Sequence, residues 1–467
     1  MSTSAFDVIK KSVITRLFII GFLTLIFLIP IAMIYSIINE RESRRNAVTR
    51  EINSKWALEQ TVSGPVLGIP YKDFRCEMDG NERKKVVKEE KKIACFLPDH
   101  LIIAGHITPE FRTRGIYKSA VYTAGLEIKG EFTFPDFKSL QIPGENILWD
   151  EATLSFGITD MRGISRNIRL EWDQHTLSPK PGIPFKYVFA NGISTPVPLS
   201  PGDPGKKESQ SFSMTLQLRG SQNISFLPLG RKTEAHISST WKSPSFSGAF
   251  LPQNRIINEK GFEAQWEIFE YNRQYPQQWA NTSWNFYSSS FGIDFFIPVD
   301  EYQKITRSIK YSILFISLTF LAFFVFFELF NKKRIHPIQY LLVGLALCLF
   351  YLLLVSLSEH MAFDKAYGIS GFGIIALTTI YTWSMSQKRY LSVLMGMIIT
   401  GLYGFLYVTL SMEDYALLMG SMGLFVILAV VMIGTRKIDW YSFKMGTDSR
   451  LPVAADNGLK VQDSTLD

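Results

Sequence analysis

Three cysteines and six histidines in 467 residues leave little material for a metal centre, and the usual catalytic signatures are missing as well. His100, His106, His175, His236, His336 and His360 form no H-E-x-x-H motif, and no spacing sets two of them on one helix face. There is no G-x-S-x-G and no G-x-x-x-x-G-K-[ST]; Gly371-Phe372-Gly373 lies inside an apolar run, where small residues permit close helix packing. The sequence therefore predicts no enzyme, no metal and no cofactor. Nor is there a clustered basic face. The formal charge of +7 resides in the two termini and the short basic loops between apolar runs, thirteen Lys or Arg against six Asp, and the remainder is neutral, which argues against nucleic acid as a partner.

What the chain has is six long apolar runs, one early and five late: 17–38, then 309–330, 338–357, 366–384, 391–410 and 415–434. At about 1.5 Å per residue each is long enough for a hydrocarbon core about 30 Å thick, and none carries a charge near its middle. A multi-pass membrane protein is predicted, with the lipid bilayer as its solvent. The first run holds Pro30, which is expected to kink the helix, and it ends without an A-x-A-like site, so it reads as an uncleaved anchor. Lys10, Lys11 and Arg16, then Lys332, Lys333 and Arg334, Lys388 and Arg389, and Arg436 and Lys437 all fall on one side if every run crosses. Short basic loops stay in the cytoplasm, so both termini are placed inside and the long insertion outside, in the periplasm.

The expected organisation is residues 1–16 as a cytoplasmic N-terminus, 17–38 as the anchor, 39–308 as a periplasmic β-rich domain, 309–434 as a five-helix bundle and 435–467 as a cytoplasmic tail. Charged residues 40–60 are expected to extend the first helix outward. After them, period-two alternation recurs, as in Phe212, Met214, Leu216 and Leu218, or Ala152, Leu154, Phe156 and Ile158 with Thr153, Ser155 and Thr159 between and beyond them. One packed and one wet face implies antiparallel sheet. The proline-rich stretch Pro196–Gly205 reads as a long loop and a seam between two β subdomains. Cys76 and Cys95 flank a charged excursion containing Gly80 and read as a candidate cross-strand disulfide, against the alternative of two small buried hydrophobes that never meet. Glu82 to Lys92 reads as a solvated hairpin tip.

Ionisable groups near the membrane lie at or beyond the ends of the runs. Glu328, His336, Glu359 and His360 are the candidate functional residues at the membrane interface, with Glu328 expected to pair with Lys332 one turn on and Glu359 to face water. A carrier usually buries a charge at the midplane, so a binding or bracing role for the outside domain leads, with a transporter or channel through the bundle as the alternative.

Several blocks resemble the CreD inner-membrane proteins of Gram-negative bacteria: Ser63-Gly64-Pro65-Val66-Leu67-Gly68-Ile69-Pro70, Asp160-Met161-Arg162-Gly163-Ile164, Trp241 to Pro252, Pro298 to Gln303, and above all His336-Pro337-Ile338-Gln339-Tyr340-Leu341 through Ser358-Glu359-His360. The resemblance implies a protein supporting cell-envelope integrity, with links to envelope stress and to colicin and β-lactam response, and an unnamed periplasmic or envelope partner. It carries over no catalytic residue. Cys76, Cys95 and the polar tail from Gly446 are not part of the resemblance.

Overall fold

The computed structural model describes residues 13–78, 84–185, 188–199, 209–295, 301–331, 333–386, 389–412 and 415–436. Lys332, Lys388, Glu413, Asp414, residues 200–208 of the proline-rich stretch, residues 79–83 of the charged excursion and the polar tail lie outside the described residues. The chain divides into two compact units, Met1–Glu40 with Glu301–Asp467, and Arg41–Asp300.

In the first unit every apolar run is helical, because a segment without polar partners satisfies its backbone internally. The first run forms α1 (Val13–Ile26) and the start of α2 (Leu28–Trp56), the latter running through the charged residues after Glu40. The interruption at Phe27 falls one turn before Pro30, which has no N–H to offer the carbonyl of Ile26. Phe27 and Ile31 keep the ladder going by donating to Leu23 and Phe27 carbonyls at 3.1 and 3.2 Å. Next come α3 (Glu301–Phe323), a π-helical stretch Phe324–Phe330, α4 (Pro337–Ser358), α5 (Phe363–Ser386), α6 (Arg389–Ser411) and α7 (Ala416–Thr435). Among the described residues four helices are long and apolar enough to cross a membrane: Thr15–Trp56, Tyr302–Phe330, Pro337–Ser358 and Arg389–Ser411. The runs of α5 and α7 fall short of that measure. α5 is diluted by Ser370, Thr378 and Thr382 on its buried face; both threonine hydroxyls donate one turn back, to the carbonyls of Ile374 at 2.7 Å and Thr378 at 2.6 Å.

The middle of this unit is filled by rings. Phe350 of α4 packs edge-on against Tyr403, Tyr351 and Tyr367, with centroids 4.5, 5.0 and 5.3 Å away. Such T-shaped pairs direct a positive ring edge at a negative face and fill space that a water path would need.

In the second unit two sheets face one another. The nine-stranded sheet runs Ser245–Gly248, Phe291–Asp294, Asn223–Phe226, Gln60–Met78, Thr153–Ile158, Gly192–Pro196, Lys180–Pro181, with Lys84–Phe96 paired to both Gln60–Met78 and Gln278–Ala280. The eight-stranded sheet runs Asn254–Asn258, Gly261–Phe269, Lys232–Ser239, His100–Arg114, Tyr117–Thr133, Ser209–Ser221, Arg169–Trp172, His175–Leu177. Their inner faces meet through aromatic pairs, Phe156 with Phe212 at 6.2 Å, Phe246 with Phe262 at 5.8 Å and Trp266 with Phe291 at 5.5 Å.

Three expectations are corrected. The sheets are not purely antiparallel: Gln60–Val62 pairs in parallel with Ile224–Phe226, and His100–Ile107 with Lys232–Ser239. The proline-rich loop is no seam, since residues on both sides of it enter one continuous core. Ile183, Phe185, Val188 and Phe189 instead cover the outer face of the nine-stranded sheet, and this is why Ser155, expected in water, is fully buried. Finally, Cys76 and Cys95 are not cross-strand neighbours. The hairpin register sets Cys95 opposite Gly68 and Cys76 opposite Val86. Eight residues of strand separate the two sites by about 26 Å, whereas a disulfide needs Cα atoms within about 7 Å.

Candidate functional site

The charge that sequence reading places at a helix end is in fact enclosed. Glu328 lies on the π-helical stretch with its side chain only 3 % exposed, and its Oε2 accepts from Arg16 Nη1 of α1 at 2.9 Å. Its Oε1 accepts from the Tyr340 hydroxyl of α4 at 3.2 Å. The expected Lys332 partner lies outside the described residues; among the described residues the cation at the carboxylate is Arg16. A π-turn inserts one residue per turn and so rotates the residues after it about the helix axis. Here it delivers Glu328 to two other elements at once. Asn331, just past the turn, donates to the Phe326 carbonyl at 2.8 Å and accepts from Tyr390 of α6 at 2.7 Å, while Lys333 Nζ donates to the Met385 carbonyl of α5 at 2.6 Å.

Chemically this is an ion pair with a hydroxyl donor, not a nucleophile with a base. His336 is a cap: its Nδ1 accepts from the Ile338 N–H at 3.3 Å, its own N–H donates to Gln339 Oε1 at 3.0 Å, and Pro337 opens the helix behind it. Glu359 and His360 sit past the opposite end of α4, about 33 Å away along a helix of this length. Glu359 is half-buried at the C-cap and His360 is exposed. The four candidate residues are therefore two separate pairs. Sequence reading assigns Arg16 to topology alone and passes over Tyr340. The available signal is a lone arginine opening one apolar run and a lone glutamate closing the next.

A second polar constellation lies in the β unit, on the Asp160-Met161-Arg162-Gly163 block. Asp160 is almost wholly buried and accepts from the Leu58 N–H at 3.0 Å and from Arg162 at its N–H, Nε and Nη2, at 3.1, 2.9 and 2.7 Å. The guanidinium beside it holds its carboxyl down at about 2. Gln60 completes the network, its Nε2 donating to the carbonyls of Asp160 at 2.9 Å and Arg219 at 3.0 Å and its Oε1 accepting from the Asp160 N–H at 3.1 Å. Arg162 Nη1 also donates to the Ser54 carbonyl at 2.9 Å, and the guanidiniums of Arg112 and Arg219 lie over the Trp56 ring at 4.4 and 4.8 Å. The block thus ties the end of α2 to both sheets, a structural staple with every acceptor used. Gly163 leaves no room at its Cα, where a Cβ runs into the Arg219 carbonyl and the Gln60 amide. Gly163→Ala is expected to destabilise the protein by about 1 to 3 kcal/mol, read as a lowered unfolding midpoint by tryptophan fluorescence; an unchanged midpoint shows that the staple does not hold the unit together.

A helical unit with several membrane-length apolar helices, interrupted in sequence by a two-sheet β unit, defines a multi-pass membrane protein. The family described as "Inner membrane protein CreD" matches residues 12–441. Inner membrane protein CreD of Escherichia coli (strain K12) is 34 % identical over 424 residues, covering 90 % of this chain and 92 % of that protein. The chain belongs to the CreD family of inner-membrane proteins. Among solved structures, an M1 zinc metallopeptidase of Deinococcus radiodurans is similar over 43 % of this chain and 42 % of its own, at 9 % identity and a TM-score of 0.19, a likeness that carries no argument.

Proposed function

We propose that this inner-membrane protein supports cell-envelope integrity without catalysis: six spans anchor it, both termini are cytoplasmic, and the β unit lies in the periplasm, where it binds or braces an envelope partner. The observation that carries this reading is the state of the ionisable groups in the helical unit. Glu328 is neutralised by Arg16 and held by Tyr340, and the ring cluster around Phe350 occupies the space a polar path needs. Two neighbouring apolar helices join the four of full membrane length, and alternating basic ends give the orientation.

Transport is the second reading, and the enclosed carboxylate of Glu328 on a π-turn is what favours it. Two measurements separate them. A tag fused after Asp467 is expected to be cut by protease only in opened cells, whereas the β unit is expected to be cut in intact spheroplasts; the reverse pattern overturns the topology. In a strain lacking the protein, Glu359→Gln is expected to restore tolerance of envelope-targeting antibiotics as fully as the parent chain. Solute flux in liposomes that disappears with Glu359→Gln or Glu328→Gln replaces the bracing reading with transport.

A further inference from the structure

The helical unit holds a groove of about 620 Å³ between the π-helical end of α3, α6 and α7, and its lining is apolar almost throughout. The space is several times that of a cavity holding one small apolar molecule, about 150 Å³, and so has room for a length of acyl chain. One end is marked by Phe405 of α6, whose ring lies 6.4 Å from that of Phe315 and abuts Gly423. α6 meets Phe315 through Phe405 at this end and Asn331 through Tyr390 at the other, so the far end of the groove is at Phe330 and Gly434. Just beyond these two residues stand Arg334 and Arg436, both exposed, so the groove is oily along its length and cationic at its mouth.

We propose that this groove holds one acyl chain of an anionic phospholipid of the surrounding bilayer, with Arg334 and Arg436 taking its phosphate. The proposal rests on the reading that these helices lie in a membrane. An anionic headgroup complements the two arginines, each worth about fivefold in affinity at a membrane surface, and a chain in the groove covers apolar surface that α7 leaves uncovered on that side. The occupant is a lipid and not a second copy of the chain, because the outer surface of α7 carries the large exposed side chains, Phe425 and Leu428 among them, while the groove side is lowered by Gly401, Gly423 and Gly434.

Gly401 supplies the test, because a Cβ there meets nothing within 4 Å and a larger side chain grows into the groove without displacing backbone. The full chain is reconstituted in phosphatidylcholine vesicles doped with spin-labelled phosphatidylglycerol or spin-labelled phosphatidylcholine, and the motionally restricted component is measured. The parent chain is expected to restrict phosphatidylglycerol in preference. Gly401→Leu is expected to lose that restricted component, with Gly434→Leu, equally open, as a second filling variant should the first fail to fold. The pair Arg334→Gln and Arg436→Gln is expected to abolish the headgroup preference while still restricting both labels. Restricted phosphatidylglycerol that survives Gly401→Leu and Gly434→Leu at parental level overturns the proposal, as does a Gly401→Cys protein that crosslinks to a second copy through the groove. A protein that alkaline carbonate strips from the vesicles overturns the membrane reading itself, a result recognisably different from the other two.

Discussion

Arg16→Leu is expected to lower the stability of the detergent-solubilised protein by about 3 to 5 kcal/mol, seen as a large drop in the midpoint of helix melting by circular dichroism. The reason is what it leaves behind. The Glu328 carboxylate is 3 % exposed, and among the described residues it keeps only the hydroxyl of Tyr340 once Arg16 is gone. Glu328→Leu alone strands a guanidinium that is 21 % exposed and can turn toward water, so its cost is smaller. Arg16→Leu with Glu328→Leu removes both charges and is expected to recover most of the loss, since apolar residues of similar volume often replace a buried pair at no cost. If the double variant is as unstable as Arg16→Leu, the stranded carboxylate is not the cause of the loss. Arg16→Lys is expected to fall between, because a single ammonium does not reproduce the fork of a guanidinium.

Asp160→Asn is expected to cost about 2 to 3 kcal/mol at neutral pH and much less in acid. The sign comes from the lowered carboxyl: it is held at about 2 in the folded protein against an ordinary value of 3.8. A group depressed on folding contributes stability above its unfolded value and loses it as the pH falls toward its folded one. The window is therefore pH 4 down to about 2, and the contribution at stake is about 2 kcal/mol. Subtracting the stability curve of Asp160→Asn from that of the parent isolates this group from the other carboxylates. A difference that stays constant from pH 7 to pH 3 rules out the Arg162 pairing as its source; residual cost below pH 2 reflects the hydrogen bonds to Leu58 and Arg162 that an amide accepts less well.

Features that depend on neighbours in the chain were legible in the sequence. Met214, Leu216 and Leu218 point inward as their alternation requires, and each of the six apolar runs is helical, because backbone hydrogen bonding and side-chain period depend on consecutive residues. The same alternation misplaces Ser155, whose outer face is roofed by Phe185 and its neighbours, about thirty residues on. The cysteine pairing fails for a related reason. The charged excursion belongs to a hairpin as expected, but residues 84–92, read as its tip, are strand paired to residues 71–78, and because register is set by the whole ladder its cysteines fall eight residues apart.

By itself the sequence determined that the chain is a membrane protein with one early and five late apolar helices around a β-rich insertion, because length, hydropathy and period are local quantities. Tertiary structure alone decided that Arg16 meets Glu328 across 312 residues, that Asp160 closes a staple with Gln60 and Leu58, and that the sheets carry parallel ladders. A buried charge must find its partner wherever the packed elements bring one, and that choice belongs to the assembled fold rather than to any stretch of chain.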